Sequence, residues 1–274
     1  MVVFPNCKIN IGLQVLSKRQ DGYHNINTIF YPVPFCDVLE IVEDKRKKSG
    51  QVTFTSSGLV VPGNAHDNLC IKAYNLMHKK HHLPAIKMHL HKLIPMGAGL
   101  GGGSSDAAFT LRLLNELFCI GETKPSLKRF AATLGSDCAF FLENNPMLGS
   151  GKGNILKKLQ IDLKGSHLVI LHPKIHISTA AAYANIKLSG KAIDYSKASQ
   201  IPLRNWEKVF MNDFEGFAFK SFPEILELKQ NLYQAGASYA SMSGSGSSVF
   251  ALSEKKLNLP EKLKKLAVWE GILD

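Results

Sequence analysis

Cysteine and tryptophan are scarce in this chain, with five and two copies in 274 residues. Cys7, Cys36, Cys70, Cys119 and Cys138 are odd in number and widely spaced, and no Cys-x-x-Cys pair occurs. That excludes a disulfide framework and suits a reducing, cytoplasmic setting. Long apolar runs are also missing. None approaches the roughly 20 residues that span a bilayer, so no membrane partner is expected. The opening Met1-Val-Val-Phe-Pro-Asn-Cys-Lys8 has neither the basic nor the apolar region of a signal peptide. Acidic residues are outnumbered by basic ones, 22 against 33, for a net charge of +11. Such a charge suits either a nucleic-acid partner or an enzyme with polyanionic substrates. The clusters at Asp44-Lys45-Arg46-Lys47-Lys48 and Lys262-Leu263-Lys264-Lys265 lack the interleaved aromatics of single-strand binders and read as solvated faces. The 45% apolar content is ordinary for a globular protein of one large or two medium domains.

What is plentiful is glycine in one place. From Gly97 to Ser105, five of nine residues are glycine. The segment before, Ile86 to Ile94, alternates like a strand. The segment after, Asp106 to Phe118, carries Ala107, Leu111, Leu114 and Phe118 at helical spacing, with Ser104 and Ser105 where an N-cap belongs. A strand, a glycine loop and a helix N-terminus together point backbone N–H groups and a helix dipole at an anion, most naturally a phosphate. A Walker A loop needs Lys followed by Ser or Thr, which is absent here. Gly151-Lys152-Gly153 fails the same test. Gly97, Gly99 and Gly102 fit the dinucleotide fingerprint, but the acid expected about 20 residues on falls in the turn Gly121-Glu122-Thr123-Lys124-Pro125. A nicotinamide oxidoreductase therefore rests on the fingerprint alone.

In chain order, a strand is expected from Val3 to Val15. Ile9, Ile11, Leu13 and Val15 take one face, and Lys8, Asn10, Gly12 and Gln14 the other. Asp21-Gly22 signals a turn. Val38–Glu43 and Val52–Thr55 read as a hairpin across the lysine-rich turn. Asp67 is placed as cap of a helix from Asn68, and Ser126 as cap of one running to Leu134, which Gly135 ends. A strand reversal is expected near Met147 to Leu159, a strand over His167–His172, and a helix capped by Ser178. Ser189 to Pro202 reads as irregular surface loop. A helix follows over Pro223–Gly236, then a small-residue loop within Ala240–Ala251, and a last helix from Pro260. No internal repeat is present.

Three of these segments resemble the galactokinase, homoserine kinase, mevalonate kinase and phosphomevalonate kinase (GHMP) superfamily: Lys8-Ile9-Asn10, Pro95 to Ser105, and Ser243-Gly244-Ser245-Gly246. Within it, Arg19-Gln-Asp-Gly-Tyr-His24, Thr28-Ile-Phe30, Asp67-Asn68-Leu69, Gly135-Ser-Asp137 and His172-Pro173 are similar to the kinases acting on 4-diphosphocytidyl-2-C-methyl-D-erythritol. The likeness spans nearly the whole chain. It departs at Asn6-Cys7, where Pro-Ala is usual, and at Asn154, where an acid is common.

The resemblance implies an α+β fold in two domains: residues 1–150, of ribosomal-protein S5 domain 2 type, and 151–274, ferredoxin-like and completing the substrate cleft. It implies ATP with Mg²⁺, a cytidine diphosphate-linked methylerythritol as the alcohol, no nucleic acid, and a monomer or weak homodimer. Pro95, Met96, Gly97, Ala98, Gly99, Leu100, Gly101, Gly102, Gly103, Ser104 and Ser105 would hold ATP. Asp137 would be the base and Lys8 its partner. Asn10 would hold the substrate hydroxyl or a phosphate, and Thr179 would lie near the diphosphate. Tyr23 and Tyr183 would stack on cytosine while His24 meets its edge. The metal ligands stay open. Taken alone, these residues have plainer readings: an exposed strand lysine for Lys8, a turn or N-cap carboxylate for Asp137, surface aromatics for Tyr23 and His24, and packing for Cys138. A mevalonate- or homoserine-type kinase leaves the Asp-Gly-Tyr-His segment without a purpose. A basic RNA-binding protein leaves both glycine loops without one.

Overall fold

The computed structural model describes residues 1–273. The elements run β1 (Val2–Val3), β2 (Asn6–Lys18), β3 (His24–Cys36), β4 (Val38–Glu43), β5 (Val52–Gly58), α1 (Leu69–His81), β6 (Ile86–Lys92), α2 (Gly102–Leu117), α3 (Lys124–Leu134) and α4 (Cys138–Glu143). They continue with β7 (Met147–Ser150), β8 (Ile155–Lys158), β9 (His167–Leu171), α5 (Thr179–Ala184), α6 (Glu215–Ser221), α7 (Pro223–Gln234), β10 (Tyr239–Met242), β11 (Val249–Ser253), α8 (Glu261–Lys264) and β12 (Ala267–Ile272).

Two compact units are built from these elements. The first comprises Met1–Cys7, Pro34–Met96 and Gly101–Asn145, and the second Lys8–Val33, Gly97–Leu100 and Pro146–Asp274. The units therefore interleave along the chain instead of dividing at residue 150. The cause is strand pairing: β3 joins β7 with Thr28 opposite Gly149 and Phe30 opposite Met147, and β7 joins β8. Hydrogen-bonded strands stay in one unit, so the early hairpin arm groups with the later chain.

The first unit holds the sheet β1-β4-β6-β5 with α1 to α4. The hairpin expected between β4 and β5 does not form. β6 lies between them, antiparallel to β4 and parallel to β5. Its Ile86, Met88 and Leu90 are almost wholly buried, as fits a strand with a neighbour on each side. The parallel β5–β6 pairing requires a crossover, which α1 supplies. Asn68, not Asp67, caps α1 by accepting the Cys70 amide at 2.8 Å. Asp67 instead pairs with Lys72 at 3.5 Å. In α3 the cap position is Thr123 and Pro125 sits in the first turn, leaving Ser126 inside the helix. A proline there loses nothing, because a first-turn N–H has no intrahelical partner.

The second unit holds the sheets β2-β3-β7-β8 and β10-β11-β9-β12. Val169, Leu171, Val249 and Ala251 of the latter pack with Ile225, Leu228 and Leu232 of α7. β2 was expected to bury one face, yet its first ten residues are all buried. Covering both faces takes Lys8, Asn10 and Gln14 out of water, and each of them is hydrogen-bonded there. Ser178 caps α5 as expected, accepting from the Ala181 amide. The stretch expected as loose surface loop contains a 3-10 turn over Tyr195–Gln200, with Tyr195 buried. The last helix is a single turn, and the chain goes on into β12.

Candidate functional site

Lys8 lies near the start of β2 and is 3% exposed, which overturns its reading as a surface lysine. Period-two geometry sends its side chain the same way as Asn10. The Lys8 ammonium donates to Asn10 Oδ1 at 2.5 Å and to the Gly99 carbonyl at 2.8 Å. Asn10 Nδ2 donates to Thr28 Oγ1 at 3.0 Å, and that hydroxyl donates to the Gly12 carbonyl. Ser243 Oγ donates to the Gly99 carbonyl at 2.9 Å and accepts the Asn10 amide at 3.3 Å. The buried ammonium is therefore held by its own strand and by the glycine loop, and Thr28 and Ser243 hold those partners in turn.

The same bonds dock the first half of the glycine loop. The Lys8 amide donates to the Leu100 carbonyl, and the Ser248 amide to that of Ala98. Gly99 has φ +79°, and a Cβ there would sit 1.9 Å from the Ser243 carbonyl oxygen. Only glycine tolerates both the left-handed backbone and that approach. The second loop is held in turn by Asn212, whose Nδ2 donates to the carbonyls of Met242 at 2.7 Å and Gly244 at 2.9 Å.

The other half of the loop belongs to the first unit. α2 begins at Gly102, with left-handed Gly101 (φ 73°) at the cap position and no capping side chain. Ser104 and Ser105 lie inside the first turn and do not cap it, as had been expected of them. Because no side chain takes the first-turn N–H groups, they stay available to an anion. Ser105 Oγ is buried without a hydrogen bond. Gly102 packs so closely that a Cβ would lie 2.9 Å from both Ile94 Cγ2 and Lys92 Nζ. The loop thus fits a phosphate chain by its backbone.

Asp137 is half-buried at the cap position of α4, yet its side chain makes no cap hydrogen bond. The plain N-cap reading therefore does not account for it. Burial pushes the neighbouring Cys138 thiol up to about 12, so it is a packing group and not a nucleophile.

Two of the expected aromatic residues are in direct contact. His24 stacks on Tyr183 with centroids 4.7 Å apart and planes 21° from parallel, and Phe214 meets Tyr183 edge-on at 4.9 Å. Tyr23 is 54% exposed, with the Lys152 ammonium 4.2 Å from its ring centroid. The structure stacks His24, the first residue of β3, on Tyr183, while Tyr23, just before the strand, meets Lys152. Thr179 Oγ1 lies 3.1 Å from Ser245 Oγ, beside the second glycine loop. Burial and then Lys18 hold the His24 pKa below its ordinary value, which favours a neutral ring.

Comparison with known proteins agrees with this geometry. Residues 68–144 match the model of the GHMP kinases N terminal domain, and residues 190–267 that of the GHMP kinases C terminal. A 4-diphosphocytidyl-2-C-methyl-D-erythritol kinase of Bacteroides thetaiotaomicron is 47% identical over 95% of each chain. One from Parabacteroides distasonis is 43% identical over the whole of both. The chain belongs to the GHMP kinases. A crystal structure of 4-(cytidine 5'-diphospho)-2C-methyl-D-erythritol kinase superposes with a TM-score of 0.82 at 30% identity, covering 99% of this chain and 98% of that one. A Streptococcus pneumoniae phosphomevalonate kinase, at 14% identity and a TM-score of 0.67, shares the fold.

As a GHMP kinase, the protein is an ATP-dependent small-molecule kinase of the α+β, two-domain type. Thr28, Ser243 and Asn212 were missed as parts of the site. Thr28 stands in a quoted motif and Ser243 in the second loop, so both had a signal. Asn212 had none, since its bonds reach 30 and 32 residues away. Among the described residues no helix is long and apolar enough to cross a membrane.

Proposed function

We propose that this kinase transfers the γ-phosphoryl group of ATP to the 2-hydroxyl of 4-diphosphocytidyl-2-C-methyl-D-erythritol, a step in non-mevalonate isoprenoid precursor synthesis. The observation that carries the substrate choice is the near-full-length identity to kinases of that name. The Tyr23-His24 segment and the His24–Tyr183 stack support it, since a small acid such as mevalonate or homoserine offers no base to stack.

Phosphoryl transfer depends on positioning and charge neutralisation more than on covalent help. Pro95 to Ser105 supply backbone donors for the phosphates, with uncapped α2 behind them. Mg²⁺ would accompany ATP and neutralise phosphate oxygens. Asp137 takes the proton of the attacking hydroxyl. Lys8, buried and always within reach of Asn10, stabilises the oxygen as it gains charge. Asn10 and Thr179 hold the substrate, and Tyr23, His24 and Tyr183 recognise cytosine.

The test is ADP release with Mg²⁺-ATP across a panel of alcohols, for the wild type and for Lys8→Ala, Asp137→Asn and Tyr23→Ala. The cytidine compound should be fastest. Lys8→Ala and Asp137→Asn should each lower turnover at least about 100-fold. Loss of a base stack is worth about 1–3 kcal/mol. Tyr23→Ala should therefore raise the KM for the cytidine compound roughly 5- to 150-fold and leave that of ATP unchanged. Faster phosphorylation of mevalonate or homoserine would replace this reading with one of those kinases.

A further inference from the structure

Three buried titratable groups lie under the glycine loop, and phosphoryl transfer as described above makes no use of them. Lys92, the last residue of β6, is wholly buried. Its ammonium donates to Asp106 Oδ2 at 2.7 Å and to Asp37 Oδ2. Asp37 is anchored further, since its Oδ1 accepts the amides of Leu93 at 2.6 Å and Ile94 at 2.8 Å. Asp106 is held less firmly, and burial, reinforced by the Asp37 charge, pushes its carboxyl up to about 7 against the pull of Lys92, so it is ionised above neutral pH. Its Oδ1 is buried without a hydrogen bond, and the Thr110 hydroxyl donates to its backbone carbonyl, not to the carboxylate.

Taking a lysine and its two carboxylate partners out of water is strongly unfavourable, and well-packed apolar residues of similar volume often serve stability as well or better. Stability is therefore a poor reason for this cluster, and its position suggests another. The ammonium lies directly beneath Gly102, 2.9 Å from where a Cβ would be, at the open end of α2. A positive charge there acts in the same sense as the helix dipole. Burial would lower the Lys92 pKa, but Asp106 and Asp37 outweigh it, so the group stays charged. The Cys70 thiol of α1 faces the same cluster and is driven upward by burial, so it adds no charge.

We propose that Lys92 is a nucleotide-positioning residue: Asp37 fixes its ammonium beneath Gly102 to attract the phosphates of ATP, and Asp106, when ionised, partly cancels that attraction. The proposal rests on reading the loop as the phosphate site. It makes an unusual demand, namely that removing one buried carboxylate should tighten nucleotide binding. A unit charge within about 10 Å of a phosphate, at an effective dielectric of about 20, changes affinity roughly ten-fold.

The probe is Mg²⁺-ADP, titrated by calorimetry at pH 8.5, where Asp106 is ionised, into wild type and Asp106→Asn, with the KM for ATP and for the alcohol measured beside it. Asp106→Asn should bind ADP about 3- to 10-fold more tightly and lower the KM for ATP alike, with the KM for the alcohol unchanged. Lys92→Met should weaken ADP binding at least about 10-fold. Should that variant fail to fold, the double variant Lys92→Met with Asp106→Leu removes the charges as a pair and should show the same loss. Unchanged or weaker ADP binding by a folded Asp106→Asn would mean that the cluster is structural only, and the proposal falls. A wild type that does not bind Mg²⁺-ADP would overturn the phosphate reading of the loop itself.

Discussion

At the scale of single residues, His24 is the group whose environment sets a pH dependence. Burial, and then the nearby Lys18 charge, hold its pKa below the ordinary 6.5. The fold therefore favours the neutral ring. What that ring contributes is fully present above about 6.5, where the unfolded chain is also neutral, and is lost as pH falls through the lower folded value. A neutral imidazole offers one donor and one acceptor to a base edge, whereas the protonated form offers two donors. The KM for the cytidine compound should therefore rise as pH drops from 7 toward 5, while the KM for ATP should not rise with it, because Asp106, its carboxyl pushed up to about 7 by burial, loses its charge over the same range. Saturation curves for both substrates at stepped pH values check this. Substitution of His24 by Gln should remove the pH dependence of the cytidine KM. A rise that persists in His24→Gln would move the titration to another group.

At the scale of elements, the two glycine loops and the strand that joins them act as one part. Gly99 is pressed against Ser243, Ser243 bridges to the Asn10 amide, and Lys8 closes the ring on Gly99. Gly99→Ala should disturb all of this at once, because its Cβ would overlap a backbone oxygen and its φ of +79° is unfavourable for alanine. We expect a loss of stability of about 2 kcal/mol or more from the displaced backbone and unpaired buried groups. A rise in the KM for ATP should accompany it, read by thermal melting together with kinetics. A melt and KM matching wild type would show the loop docking to be loose. Much of this element was legible in the sequence, because glycine density between an alternating strand and a periodic helix is a local signal. Three things were not. β6 intrudes between β4 and β5, and neighbours along the chain do not show it. The α2 cap is a bare left-handed glycine, since a capping serine would occupy the donors an anion needs. Lys8 read equally well as exposed, because the strand's own alternation cannot tell whether its second face is covered.

At the scale of the whole molecule, the net charge of +11 is the feature that no single residue of the site explains. It suited an RNA partner as readily as a polyanionic substrate. The membership in the GHMP kinases and the phosphate-type loops favour the substrate, and the two cases differ in how salt acts. ATP and a nucleoside-diphosphate-linked alcohol are both strongly anionic, and a basic surface raises their rate of encounter. Screening shortens the reach of that field from about 30 Å at 0.01 M salt to about 8 Å at 0.15 M. The kcat/KM for each substrate should therefore fall about 5- to 20-fold from low to physiological salt, because it contains the encounter step. The kcat should change little, since the bound phosphates are shielded and held by backbone donors at short range. Uncharged viscogens and a matched series of salts separate screening from specific ion effects. Filter binding of unstructured RNA in the same buffers gives the other arm, and affinity for it should be weak at physiological salt. Tight RNA binding that survives there, or a kcat/KM indifferent to salt, would mean that the basic surface serves some partner other than the substrates.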